Sequence, residues 1–118
     1  MKRIQSHSLG IDQGDVVLFS DFENDGDMWT GHGDRERRQS VTFSQAFRRA
    51  PAVQVALSLY DMDTTPNIRA EISAENITES GFELVFRTWA DSKIARVRIG
   101  WTAFGELPYE DDWSVLET

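Results

Sequence analysis

Residues 82–89 read Phe82-Glu83-Leu84-Val85-Phe86-Arg87-Thr88-Trp89, and residues 96–103 read Arg96-Val97-Arg98-Ile99-Gly100-Trp101-Thr102-Ala103. Both alternate with a period of two. In the first, Phe82, Leu84, Phe86 and Thr88 share one face; in the second, Val97, Ile99, Trp101 and Ala103 oppose Arg96, Arg98 and Gly100. A strand sends successive side chains to opposite faces, so this spacing predicts two strands, each with one face on a core. The short connection Asp91-Ser92-Lys93 between them reads as a hairpin turn.

Working outward, the same alternation recurs. Val53, Val55, Leu57 and Leu59 share a face across residues 52–59, as do Ile68, Ala70, Ile72 and Ala74 across residues 68–74. Asp63-Thr64-Thr65-Pro66-Asn67 separates these two runs, and its proline bars that stretch from a central strand. Glu79-Ser80-Gly81 gives a tight reversal before Phe82. Weaker strands are read at residues 3–9, 16–19 and 37–43. No window carries a helical stripe. Short strands at regular spacing predict an all-β fold, a six-stranded antiparallel β-sandwich. The sandwich is assigned to residues 1–105. Residues 106–118 form an acidic C-terminal tail, from which Trp113, Val115 and Leu116 are placed to pack back or to meet a neighbour.

The chain has 118 residues, 40% hydrophobic and 27% charged, which is the composition of one folded domain and not of a disordered segment. A chain of this size buries roughly two thirds of its unfolded surface. Cysteine is absent, which excludes disulfides, thiol catalysis and cysteine-based zinc sites. The formal net charge of −8 argues against nucleic acid or anionic lipid as a partner. The basic groups at Arg35, Arg37 and Arg38 and at Arg48 and Arg49 are too short to make a groove-long stripe. No run approaches the roughly 20 apolar residues of a membrane span, and the opening residues lack the apolar stretch of a signal peptide. A soluble protein without membrane insertion is expected, either cytoplasmic, released or particle-associated.

The chemistry-bearing residues are few. Asp21-Phe22-Glu23-Asn24-Asp25-Gly26-Asp27 imitates the start of a calcium loop, but His32 stands where the closing glutamate belongs, so a solvated acidic loop is the reading. His7 and His32 have no partner at zinc-ligand spacing. Asp61 and Asp63 are spaced like paired carboxylates, yet their place beside a turn assigns them to capping backbone donors. There is no Gly-x-Ser-x-Gly elbow and no glycine-rich phosphate loop. No enzyme, no cofactor and no metal are expected.

An ordered set of residues then resembles a known family. Val41-Thr42-Phe43, Phe47, Pro51, Val53, Asp61, Asn67-Ile68-Arg69, Thr78, Gly81-Phe82, Thr88-Trp89 and Ile99-Gly100-Trp101 follow the pattern of the H-type lectin domain of snail agglutinins and slime-mould discoidins. The resemblance spans about residues 4–105. It implies a six-stranded sandwich that assembles as a homotrimer or homohexamer and binds galactose or N-acetylgalactosamine on cell-surface glycans, in clefts between protomers. Arg69 matches the arginine that hydrogen-bonds the sugar, and Trp89 the tryptophan beside it. Gly31, Gly33 and Asp34 resemble the loop that completes the pocket from a neighbouring chain, and Asp91 is counted with the set. Ala90 and Ala95 depart from the family's histidine and tyrosine, removing part of an aromatic wall. Two functions follow: a multivalent lectin, or a fibre or spike module of a phage-like particle that kept the fold and not the pocket.

Overall fold

A computed structural model describes residues 1–5 and 8–109. Six strands carry the fold: β1 (Leu9–Ser20), β2 (Arg35–Thr42), β3 (Ala52–Met62), β4 (Glu71–Glu75), β5 (Gly81–Thr88) and β6 (Ile94–Glu106), with a single turn of helix, α1 (Asp27–Thr30), between β1 and β2. They form two three-stranded antiparallel sheets, ordered β1-β6-β3 and β2-β5-β4. The all-β sandwich predicted from alternation is the fold observed.

The core lies between the sheets, where the alternation placed it. Leu84 and Phe86 of β5 and Val97, Ile99 and Ala103 of β6 are fully buried. Phe43, Phe82 and Trp101 form an aromatic group with centroids 5.5–6.0 Å apart. At the other end Phe19 meets Phe86 edge-on at 5.4 Å. Aromatic side chains bury large areas each, so these rings dominate the packing.

The outer faces differ. Glu36 and Arg38 of β2, Glu83 and Arg87 of β5 and Glu75 of β4 make an ion-pair lattice, with Arg38 at 2.8 Å from Glu83 and Arg87 at 2.8 Å from Glu75. Val85 lies opposite Arg38 in the register and is fully buried despite facing this charged side; long arginine stems cover apolar surface in this way. Beyond β1, β6 and β3, by contrast, the outer face exposes Leu9, Ile11, Val17, Tyr60 and Phe104.

Three expectations need correction. The connection after Trp89 is not a hairpin: β5 pairs with β2 and β4, while β6 pairs with β1 and β3, so the chain crosses from one sheet to the other. Of the connections between successive strands, β4 to β5 alone joins partners within one sheet. Residues 68–70 are not strand, and β4 begins at Glu71. There the backbone is held by side chains instead of a ladder: Arg69 N–H donates to Ser92 Oγ at 2.9 Å, Ser92 Oγ donates to Asn67 C=O at 2.9 Å, and Thr88 Oγ1 donates to Arg69 C=O. The first strand likewise starts at Leu9 and not at Arg3, and it joins the 16–19 segment into one element. Trp113, Val115 and Leu116 lie outside the described residues.

Candidate functional site

Because successive strands switch sheets, the segments 21–34, 63–70 and 89–93 all emerge at the same end of the sandwich. These segments hold the residues that the resemblance assigns to the sugar site: Gly31, Gly33, Asp34, Arg69, Trp89 and Asp91.

Arg69 and Asp91 meet here: Arg69 Nη1 is 2.7 Å from Asp91 Oδ1, with the side chains 29% and 54% exposed. The pair is therefore reachable from solvent. Its placement comes from beneath, through the Ser92 and Thr88 hydroxyls that fix Asn67 and the Arg69 backbone. Ser92 and Thr88 are each at most 1% exposed, so this is a buried polar post carrying an accessible ion pair. Trp89, the first residue beyond β5, is 40% exposed between Thr88 and the turn.

Gly31, Gly33 and Asp34 lie on the other side. Gly33 has φ +82°, in the left-handed region that glycine enters without a Cβ clash, and its N–H donates to Ala90 C=O at 2.9 Å. Gly31 N–H closes α1 by donating to Asp27 C=O at 2.7 Å, and a Cβ at Gly31 would come within 2.3 Å of that oxygen. Asp34 and Trp89 line one cleft of about 370 Å³, together with Arg35, Glu36, Glu71, Arg87 and Thr88. The loop thus sits beside the Trp89 turn of its own chain. Arg69, Asp91, Gly31 and Gly33 border this region without lining the cleft. Ala90 has φ +59°, and Ala95 is buried with its C=O accepting from Asp21 and Phe22 N–H at 2.8 and 3.1 Å.

The calcium-like segment is closed by protein donors. Asp21 accepts from Arg37 Nη1 and Nη2 at 2.9 and 2.8 Å and from Met28 N–H at 2.9 Å. Burial pushes the Asp21 carboxyl up, but Arg37 and the Met28 N–H outweigh it and hold the group below its ordinary value. Among the described residues no group of three or more acidic or histidine side chains is arranged to hold a metal ion. Asp63 Oδ1 accepts from Thr65 N–H at 2.9 Å, the capping role read from its place beside the turn. His32 is exposed in the site loop, and His7 lies outside the described residues.

One residue of this end was passed over in the sequence, where it counted only as part of a basic cluster. Arg35, at the start of β2, is 7% exposed and reaches both the 27–33 and the 90–92 segments. Its parity with Val41 along β2, and with Phe43 just beyond it, was the available signal that it points inward.

Comparison with known proteins places the chain. The H-type lectin domain model matches residues 38–104, more than half of the sequence. The Fuscovulum blasticum protein called ATP synthase subunits region ORF 7 is 53% identical over 108 residues, covering 92% of this chain and 94% of that one. A discoidin-1 polypeptide of Dictyostelium discoideum is 35% identical over 75 residues, covering 63% of this chain and 30% of the discoidin. The fold of Dictyostelium discoideum discoidin II superposes with a TM-score of 0.73 at 24% identity, over 89% of this chain and 40% of that one. This chain therefore spans less than half the length of either discoidin. With the domain model, the sandwich and the ordered residue set in agreement, the chain belongs to the H-type lectin domain family.

Proposed function

We propose that this chain is a non-enzymatic lectin that recognises galactose, N-acetylgalactosamine or related surface glycans through the end bearing Arg69, Asp91 and Trp89. The observation that carries this reading is the Arg69–Asp91 pair, held at 2.7 Å and open to solvent beside a half-exposed tryptophan. Sugar hydroxyls need a fixed donor and acceptor side by side, and the C–H face of the ring needs an apolar surface. Arg69 supplies donors in a planar fork, Asp91 supplies acceptors, and the Trp89 indole supplies the surface. Asp34, across the cleft, adds further acceptors.

Multivalent binding requires self-association, and one face suits it. The outer side of the β1-β6-β3 sheet exposes Leu9, Ile11, Val17, Tyr60 and Phe104 around a centre of Gln13, Gln54, Ala56, Gly100 and Thr102 that also holds Asp15. Charges on this face are paired with each other, Arg96 with Asp61 and Arg98 with Asp15, both at 3.6 Å. A second copy of the same face is thus a partner that brings no unmatched charge to a chain of net −8, whereas the ionic outer face of the other sheet is already satisfied by its own pairs. Joining several sites on one particle raises avidity by about 10²–10⁴ without any new contact.

The test is a glycan array probed with the wild-type protein and a folded Arg69→Ala variant. Wild-type binding that disappears in the variant supports the lectin. Silence of a correctly assembled wild type across galactose-type and bacterial-envelope glycans overturns it, in favour of a structural spike or fibre module.

A further inference from the structure

Arg35 is a buried guanidinium that makes no ion pair with a carboxylate among the described residues. Its five N–H donors go to five backbone carbonyls: Nε to Gly33 at 3.0 Å, Nη1 to Asp27 and Met28 at 3.1 and 3.2 Å, and Nη2 to Ala90 and Ser92 at 3.1 and 2.9 Å. Burying a charge is costly unless every polar atom is matched, and an apolar side chain would fill the same volume without that cost. Core packing alone therefore does not account for an arginine here.

The five carbonyls belong to two segments. Asp27, Met28 and Gly33 precede Arg35 in the loop that ends at Asp34, and Ala90 and Ser92 flank Asp91 in the turn that follows Trp89. The two segments are also joined by the Gly33 N–H to Ala90 C=O bond at 2.9 Å, and Lys93 Nζ, next after Ser92, lies over the Trp29 ring at 4.5 Å. Both participants in that bond have left-handed backbone, at φ +82° and +59°, conformations that persist where the surroundings fix them. Arg35 also lies outside the 38–104 segment that the family model matches.

We infer that Arg35 is a positioning residue of the sugar site: it fixes the Gly33–Asp34 loop against the Trp89–Asp91 turn, so that the cleft is formed before any ligand arrives. This rests on the lectin reading above. Arg35 borders the cleft, but all five of its donors are engaged by carbonyls, so it acts through Asp34, Trp89 and Asp91. Preformed sites bind more tightly because less ordering remains to be done on binding. Lysine cannot replace it, since a tetrahedral ammonium has three donors and not five in a planar fork.

The experiment compares wild type, Arg35→Lys and Arg35→Met by titration with N-acetylgalactosamine and galactose below the melting range, alongside amide hydrogen exchange. Both variants are expected to keep slow exchange at Val97 and Ile99, to lose protection at Gly33, and to bind sugar at least about tenfold more weakly, with free guanidinium restoring part of the affinity to Arg35→Met. A merely structural role would lower the melting temperature and leave the affinity of the folded protein, and its rescue, unmoved. A folded variant that binds like wild type, or that keeps Gly33 protected, overturns the inference. If Arg35→Met does not fold, Arg35→Lys alone decides by the same readouts. If the wild type binds neither sugar and the array is silent, the lectin reading fails, and Arg35 as a positioning residue of a sugar site fails with it. The variants' exchange at Gly33 then shows separately whether Arg35 joins the two segments.

Discussion

Arg37 grips the Asp21 carboxylate with both terminal nitrogens, at 2.9 and 2.8 Å, and so ties the end of β1 to the inner side of β2. Asp21 is 6% exposed and also receives the Met28 N–H that starts the helical turn, so a single carboxylate orders the whole 21–30 segment. Fork-to-carboxylate pairing is the strongest common form of this contact. Asp21→Asn is expected to destabilise the fold by about 1–3 kcal/mol, because it replaces a two-oxygen charged acceptor by a single neutral oxygen and leaves Asp27 as the carboxylate that still pairs with Arg37. Urea denaturation measures this; a loss within about 0.5 kcal/mol would remove Asp21 as the organiser of the segment.

The same carboxylate predicts a direction for acid unfolding. Asp21 is held below its ordinary 3.8, and Glu75, bonded to Arg87 and Ser73, is drawn down to about 2. A carboxyl with a lowered folded-state value stabilises fully above its unfolded value and loses that contribution as pH falls through the folded one. Stability is therefore expected to decline from about pH 4.5 toward 2. Asp21→Asn should decline less steeply over the lower part of that window. Parallel pH profiles for the two proteins would exclude Asp21 as a contributor.

Ala90 holds φ +59°, where its Cβ crowds the following carbonyl. Ala90→Gly removes that strain at some gain in unfolded-state entropy, for a net stabilisation of about 0.5–1 kcal/mol. A melting temperature below wild type would mean that the turn is not strained at this residue.

Ser92 is buried, with its hydroxyl donating to Asn67 C=O and accepting from Arg69 N–H, both at 2.9 Å. Ser92→Ala leaves the Asn67 C=O and the Arg69 N–H, both part-buried, without that partner and should cost about 1–2 kcal/mol. It should also weaken sugar binding, since Arg69 loses its anchor. Unchanged stability together with unchanged binding would dismiss the post beneath the ion pair.

Ile11, 67% exposed opposite Phe104 on the outer face, tests the assembly. Ile11→Glu is expected to shift sedimentation toward the monomer and to reduce binding to dense glycan surfaces while sparing affinity per site. A wild type that sediments as a monomer would rule out this face as the contact.

The sequence by itself determined which residues face inward. A strand period of two admits only two faces, so the parity of Phe82, Leu84 and Phe86, and of Val97, Ile99 and Trp101, already named the core. It also marked Arg69 and Trp89 as residues to follow, by resemblance. What alternation leaves open is which strand pairs with which, because every strand offers the same backbone ladder along both edges. Only the tertiary structure decided that β5 and β6 belong to different sheets, and hence that the 21–34, 63–70 and 89–93 segments share one end. That decision joined Arg69 to Asp91 across 22 residues and Arg35 to Ser92 across 57. Hydrogen bonds to carbonyls so distant in sequence leave no local periodicity, and for that reason Arg35 reads on paper as one more surface charge.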